Sequence, residues 1–326
     1  MEWGFSIYLK PQGNPEIPTQ AAPILPQAEP PTRAVENGKG LILMALGMFF
    51  FSAVDTTAKF LTADLHPVQI VWARQLGLVA GALWLLVRVG PGLLRTEHLS
   101  LQILRGVVAV GSATLFIFAI RYVPIADAVA ISFVAPFMVS VLGAAVLREP
   151  VGVRRWSAVA IGFAGALIVL RPGMGVVHPA ALLVILAAFL FACRQIISRW
   201  IAASDRTGTT VAYTGFVSIA VLSLALPFFW RTPTAEQVAL LAVCAVLAGL
   251  AEVCVIKALE LSMAVVVAPV QYTLIVWATF YGFVVFGDLP DRWTWVGTAI
   301  IVATGIYTLR REYLASRQRR RKEDGN

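Results

Sequence analysis

The stretch AIRYVPIADAVAISFVAPFMVSVLGAAVLREPVGVRRWSAVAIGFAGALIVLR (119–171) returns in altered form as ALELSMAVVVAPVQYTLIVWATFYGFVVFGDLPDRWTWVGTAIIVATGIYTLR (258–310). At this offset Ala119 falls on Ala258, Gly143 on Gly282, Val146 on Val285, Trp156 on Trp295 and Ile161 on Ile300. Leu170 falls on Leu309, Arg171 on Arg310 and Glu149 on Asp288, and each of these two acids ends an apolar run with a proline soon after. Further upstream, at an offset one residue longer, FFFSAVDTTAKF (49–60) falls on FLFACRQIISRW (189–200). Self-similarity at a fixed offset means that one structural unit is used twice.

The unit is built for lipid. The chain has 326 residues, 59% hydrophobic and 13% charged, with a mean hydropathy of +0.79. A soluble domain carries roughly twice that charged fraction. Apolar runs recur at lengths that span a hydrocarbon core of roughly 30 Å, and the small residues within them suit close helix packing. The expected fold is an all-α integral membrane protein with ten transmembrane helices as two inverted five-helix repeats. The expected spans are 41–62, 68–89, 103–121, 124–147, 154–170, 178–200, 208–230, 236–259, 262–286 and 292–310. Because five is odd, the second unit enters the membrane from the opposite side, a recurring design of secondary transporters.

Lys and Arg set the orientation. With the N-terminus inside, the cytoplasmic segments hold Lys39, Arg88, Arg95, Arg148, Arg154, Arg155, Arg199, Arg206 and the C-terminal basic cluster. The other side holds Lys59, Arg121, Arg171, Arg231 and Arg292. Both termini are therefore expected in the cytoplasm. The expected divisions are a disordered cytoplasmic tail at 1–39, repeats at 40–173 and 174–311, and a basic cytoplasmic tail at 312–326. The segment 91–106 is expected to begin with a short interfacial helix. The first forty residues lack the order of a cleavable signal and are rich in Pro, Gln and Ala.

The net charge of +8 does not point to nucleic acid, because its basic residues crowd behind the last apolar run, where they meet anionic lipid headgroups. Cys193, Cys244 and Cys254 lie apart inside apolar runs, and His66, His98 and His178 are scattered. Neither a disulfide framework nor a metal site is implied.

In the stretches SFVAPFMVSVLGAAVLREPVGVRRWSAVAIGFAGALIVLRPG (132–173) and VVVAPVQYTLIVWATFYGFVVFGDLPD (265–291), the chain resembles the EamA-type members of the drug/metabolite transporter superfamily. The likeness rests on a proline in helix four, an acid at its end, and a basic-Trp start and Gly-rich body in helix five. It covers about residues 40 to 312. The resemblance implies a central cavity lined by helices one, three, four, six, eight and nine, alternating access, no cofactor and a bacterial inner membrane. One departure is that Pro136 falls on Ile275, while Pro269 comes six residues earlier. The APVQY arrangement resembles a bacterial subgroup that includes S-adenosylmethionine and riboflavin carriers.

Ionisable residues within the membrane are functional candidates by default. Asp55 and Arg74 lie at similar depth, roughly 10 Å below the outer edge, on consecutive antiparallel helices. Asp55 can end an early-terminating helix, pair with Arg74 or Lys59, or hold substrate or a proton. Lys59 otherwise marks the outer end of its helix. Arg194 and Glu252 form a second candidate pair toward the inner side, with Arg194 suited to a carboxylate or phosphate. Asp55 falls on Gln195 in the repeat and Glu252 on Ala113, so the charges are not symmetric. Pro269 frees backbone near Gln271 and Tyr272. Gln271 falls on Ser132 and Tyr272 on Phe133, which sets an aromatic with a polar neighbour on each of two helices. Packing is the competing reading. Glu149 and Asp288 are expected to serve helix ends or gating, and Asp127 to pair at the surface with Arg121.

The expected function is a secondary transporter that moves a small polar or amphipathic metabolite by alternating access, with a possible coupling proton or ion. Charges of both signs favour a zwitterionic ligand. A membrane-embedded enzyme and a passive channel are the alternatives. Dispersed His and Cys argue against the enzyme, and the lack of a uniform charged ring argues against the channel.

Overall fold

The computed structural model describes residues 37–147, 152–171, 178–201, 204–262 and 264–323. The expected tail up to residue 36, Glu149 and the 173/174 boundary lie outside the described residues. Among the described residues the structure is helical, with no strand. The helices are α1 (Asn37–Leu61), α2 (Pro67–Val89), α3 (Leu99–Ile120), α4 (Ile125–Ser132), α5 (Ala135–Val146) and α6 (Val153–Leu170). They continue as α7 (Ala181–Ile201), α8 (Thr207–Phe229), α9 (Ala235–Leu261), α10 (Ala264–Val267), α11 (Thr273–Tyr281) and α12 (Arg292–Glu323). Eight helical stretches among the described residues are long and apolar enough to cross a membrane, so this is a multi-pass membrane protein.

Local sequence explains the starts and stops. Pro67 occupies the first turn of α2, where its missing N–H costs nothing. The Nδ1 of His66 caps that turn by accepting from the Val68 N–H at 3.3 Å. Thr234 and Gln237 form a reciprocal capping box at the start of α9. Gly287, at φ 72°, closes the wide π turn Gly282–Phe286 in a left-handed conformation that costs glycine nothing.

Four expected boundaries are corrected. The third span begins at Leu99, not 103, after a 3-10 turn at Pro91–Leu94. The last helix runs on to Glu323, well past 310. Expected span 124–147 is broken into α4 and α5 at Phe133–Val134. Expected span 262–286 is a series of α10, the 3-10 turn Ala268–Tyr272, α11 and the π turn. A proline lies just after each break, in the first turn of the element that follows, and its ring clashes with the turn before it. At the repeat offset the start of α5 falls on Leu274, one residue from the start of α11, although the two prolines do not align.

The packing exchanges partners between the halves. α1 packs on α9 and α3 on α7; α2 packs on both α8 and α9, and α3 also on α8. α1 touches α11 as α7 touches α5, and α6 packs on α12. Glycines permit the closest approaches. A Cβ on Gly77 of α2 would stand 1.9 Å from the Ala245 carbonyl oxygen of α9. A Cβ on Gly297 of α12 would stand 2.6 Å from the Gly165 carbonyl oxygen of α6. The largest core cluster gathers Leu61, Ile70, Ile117, Ile120, Ile125 and Ile131 near the end at which α1 finishes, called here the Lys59 end. The opposite end, where α7 meets α8, is called the Asp205 end.

Candidate functional site

Long apolar helices place a few charged side chains far from water, so each needs a partner. Asp55 of α1 is buried, and Arg74 of α2 reaches it with Nη1 at 3.4 Å from Oδ1. The Arg74 guanidinium also lies 5.9 Å from the centroid of the Phe51 ring. Asp55 does not pair with Lys59. The Lys59 ammonium instead bonds the Asp288 carboxylate at 3.2 Å and the Val123 carbonyl at 3.1 Å, and sits 4.9 Å from the centroid of Phe286. Lys59 is thus a tie between α1 and two distant loops, not only a marker of the helix end.

Arg194 of α7 is arranged differently from expectation. Among the described residues no carboxylate lies within 4.0 Å of its guanidinium, and its buried Nε has no hydrogen-bond partner. The guanidinium lies 4.6 Å from the Phe191 ring centroid. Glu252 of α9 is close enough to act electrostatically on Arg194 and on Arg105 of α3, and Arg74 is close enough to act on Arg194. The two expected pairs therefore belong to one band of three guanidiniums and two carboxylates, held by α1, α2, α3, α7 and α9.

Arg105 was not among the expected residues. With the third span expected from 103, it stands at a helix end; with α3 starting at Leu99 it lies about 9 Å into the helix. Its Nε donates to the Ser198 hydroxyl at 2.7 Å, and its Nη1 to the Thr214 hydroxyl. The Ser198 hydroxyl in turn donates to the Arg194 carbonyl at 2.8 Å. Gln102, one turn before Arg105, donates to Asp205 at 2.7 Å and to Thr210 at 3.2 Å. Asp205 also accepts from the Thr96 hydroxyl and the Glu97 N–H. Desolvation pushes the Asp205 carboxyl up, but these hydrogen bonds, with one from Ser204, outweigh it and hold the carboxyl below its usual value.

The helix breaks bring the expected aromatic pair together. The rings of Phe133 and Tyr272 meet edge to face, with centroids 5.0 Å apart. Tyr272 also lies over Gly305 of α12, where a Cβ would stand 1.8 Å from the phenol oxygen. Ser132 turns its hydroxyl back to the Val129 carbonyl at 2.7 Å. Gln195 is half-buried, Pro269 is half-buried, and Pro136 and Gln271 are exposed. Asp127 and Arg121 do not form the expected surface pair. Arg121 is exposed over Tyr122, with 5.7 Å to the ring centroid, whereas the Oδ1 of Asp127 is buried without a hydrogen-bond partner. A shallow groove lies apart from the charged band, between α6 and α12, beside Arg154, Ser157 and Tyr307.

The EamA-like transporter family matches residues 38–171 and again 178–310, so the chain belongs to that family. The S-adenosylmethionine uptake transporter of Rickettsia bellii is 27% identical over 270 residues, which is 83% of this chain and 93% of that protein. The riboflavin transporter of Vibrio cholerae is 33% identical over 230 residues, 70% of this chain and 77% of that protein. The pseudopaline exporter of Pseudomonas aeruginosa is 26% identical over 272 residues, 82% of this chain and 94% of that protein. A solved crystal structure shares the fold with a TM-score of 0.58 at 16% identity, over 84% of this chain and 98% of its own.

Proposed function

We propose that the chain is a secondary transporter of a small zwitterionic metabolite, built of ten membrane helices in two inverted five-helix repeats that open alternately. The repeats are 40–173 and 174–311, a division supported by the two family matches at 38–171 and 178–310. The exchange of packing partners between the halves is what an approximate two-fold axis in the membrane plane produces. The protein resides in a bacterial inner membrane with both termini cytoplasmic, which makes the Lys59 end the outer one. The reading rests on the family and on relatives named as transporters, and no enzymatic activity is proposed.

The observation that carries the ligand class is Arg194. A guanidinium held in the membrane with a buried, unpartnered Nε is costly unless something completes it. A substrate carboxylate accepts from Arg194, while Glu252 and Asp55 offer negative charge to the cationic part of the same ligand. The Phe133–Tyr272 pair supplies an edge for a flat ring. The lower side of the band is closed by Gln102, Arg105 and Asp205, and the upper side by Lys59 and Asp288; all of these ties join the two halves. Alternating access requires them to break in turn. S-adenosylmethionine, with its carboxylate, cationic centres and adenine, is the first candidate, and riboflavin the second.

The test is counterflow of labelled S-adenosylmethionine and riboflavin in proteoliposomes. Saturable exchange is expected for one of them, reduced at least about tenfold in Arg194→Gln and less in Arg194→Lys. Equal exchange by Arg194→Gln removes Arg194 from the pathway. Non-saturable flux points to a channel, and turnover of the ligand in detergent points to an enzyme.

A further inference from the structure

A second polar cluster lies at the Lys59 end, away from the charged band. It is formed by the first turn of α4, the C-terminus of α6 and the N-terminal turns of α12. Asp127 of α4 stands near Thr294 of α12 but outside hydrogen-bond geometry, and Arg171, Asp291 and Asp288 are close enough to act on it electrostatically. Four atoms here are buried without a hydrogen-bond partner: Oδ1 of Asp127, Oγ1 of Thr294, Oγ1 of Thr298 and Nε of Arg171. Thr294 and Thr298 are only 1% and 5% exposed, and they share one face of α12 one turn apart. Buried polar atoms are satisfied in the great majority of cases, so the three orphan oxygens at one place imply an absent partner; the Arg171 Nε is a donor and stands outside that count.

Charge accounting says what that partner is. Asp288 is paired with Lys59 at 3.2 Å, and Asp291 with Arg171 at 2.7 Å. Among the described residues no Lys, Arg or His nitrogen lies within 4.0 Å of Asp127, and the cluster keeps one uncompensated carboxylate. Arg171 has a left-handed backbone at φ 41°, uncommon for a non-glycine residue, and sets its Nη2 on Asp291. Among the described residues no three His, Cys, Asp or Glu side chains are grouped as a divalent ion requires. One carboxylate with two hydroxyls suits a single positive charge. The cluster exists in one half only. At the repeat offset Asp127 falls on Val266, Asp291 on Gly152, Thr294 on Arg155 and Thr298 on Val159.

We propose that Asp127, with the hydroxyls of Thr294 and Thr298, binds one monovalent cation, a proton or a sodium ion, and so couples transport to the gradient of that cation. A carboxylate within a membrane-spanning segment is the residue type that proton and ion relays use. With a sodium ion bound, both hydroxyls turn their lone pairs to the metal. With a proton, the Asp127 carboxyl donates to Thr294. The sodium ion gives all three orphan oxygens a partner, the proton gives one to Asp127 and Thr294, and in either case the local charge falls to zero. The coupling role rests on the transporter reading above, whereas the binding site does not.

Two measurements separate these. Purified full-length protein is melted in choline chloride with increasing sodium chloride, potassium chloride serving as control, and in a parallel pH series without sodium. A sodium site gives a saturable rise of a few degrees, about 2–4 °C, that potassium does not reproduce. A proton site gives a pH-dependent melting point with no sodium effect. Asp127→Asn removes the sodium response, or for a proton site lessens the pH response by the part that Asp127 contributes, and Thr298→Val, close in volume, weakens the sodium response. Equal responses of wild type and Asp127→Asn to sodium and to pH overturn the site and leave the cluster to ordered water. In proteoliposomes the ratio of gradient-driven accumulation to counterflow falls at least about tenfold in Asp127→Asn if the site couples transport. An unchanged ratio overturns coupling. Absent counterflow in the wild type is a failure of the transporter reading alone, and the melting experiment still decides the site.

Discussion

Replacing Lys59 by Met keeps the apolar stem and removes the ammonium from the tie at the Lys59 end. The ammonium bonds the Val123 carbonyl at 3.1 Å, pairs with Asp288 at 3.2 Å and lies over Phe286. A hydrogen bond to a charged group contributes roughly 1.5 kcal/mol. The Asp288 side chain is 38% exposed, so the ion pair is screened and contributes about 0.5 kcal/mol or less. The ring contact adds about 0.5 kcal/mol. Opening between the halves breaks the contacts with Asp288 and Phe286 but not the one with Val123, which lies in the same half as Lys59, so the variant favours the open state by about 1 kcal/mol, close to a fivefold shift in population. Val123, only 1% exposed, sits directly under the tie and reports on it. In a chain with Cys193, Cys244 and Cys254 replaced and Val123→Cys introduced, a membrane-impermeant maleimide labels at a rate set by opening. Lys59→Met should raise that rate by roughly fivefold, and Lys59→Arg by less. A rate within about twofold of the parent refutes the reasoning, because the tie would then survive opening or contribute nothing to closure.

Other sites give independent checks. Gly77→Val sets a Cβ 1.9 Å from the Ala245 carbonyl oxygen and forces α2 from α9, with an expected loss of about 2 kcal/mol or more in thermal or denaturant unfolding; an unshifted melting point contradicts the close approach. Gly305→Ala displaces the Tyr272 ring from its seat on α12 and should reduce counterflow, with partial recovery when Tyr272→Phe is added; failure of the second change to help places the clash elsewhere. Asp205 has a folded-state carboxyl below the ordinary 3.8, so it stabilises the fold above that pH and loses the contribution as pH falls through its lowered value. Asp205→Asn should therefore melt lower than wild type near neutrality and converge with it on acidification; parallel melting curves from pH 7 to pH 3 contradict the assignment.

The membrane class and the doubled unit were legible because each is carried by many residues at once. Apolar run length and a nearly constant offset survive errors at any single position, as the alignment of Gly143 with Gly282 and of Trp156 with Trp295 illustrates. The helix breaks were half legible. Pro136 occupies the first turn of α5, where its missing donor is harmless, while Pro269 opens a 3-10 turn, so prolines six positions out of register disrupt equivalent places. Partner choice was the illegible part. Spacing along one helix allows Asp55 to meet Lys59, yet rotation of α1 against α2 sends Asp55 to Arg74 and Lys59 to Asp288. Arg105 was hidden because the polar turn Leu99–Gln102 ahead of it resembles a loop until Gln102 finds Asp205 across the fold. Asp127 was assigned to Arg121 by proximity in sequence, but the turn at Pro124 sends one to the surface and buries an oxygen of the other. These misses share a cause: a buried charge is defined by what faces it from another helix, which no local pattern encodes. They also bear on direction. On the proposed alternating-access reading, two like halves supply two like conformations, open to either side, and so no preference. Only residues without a counterpart, such as Asp127 against Val266 or Glu252 against Ala113, can make the two conformations differ in energy when a ligand or a cation is bound.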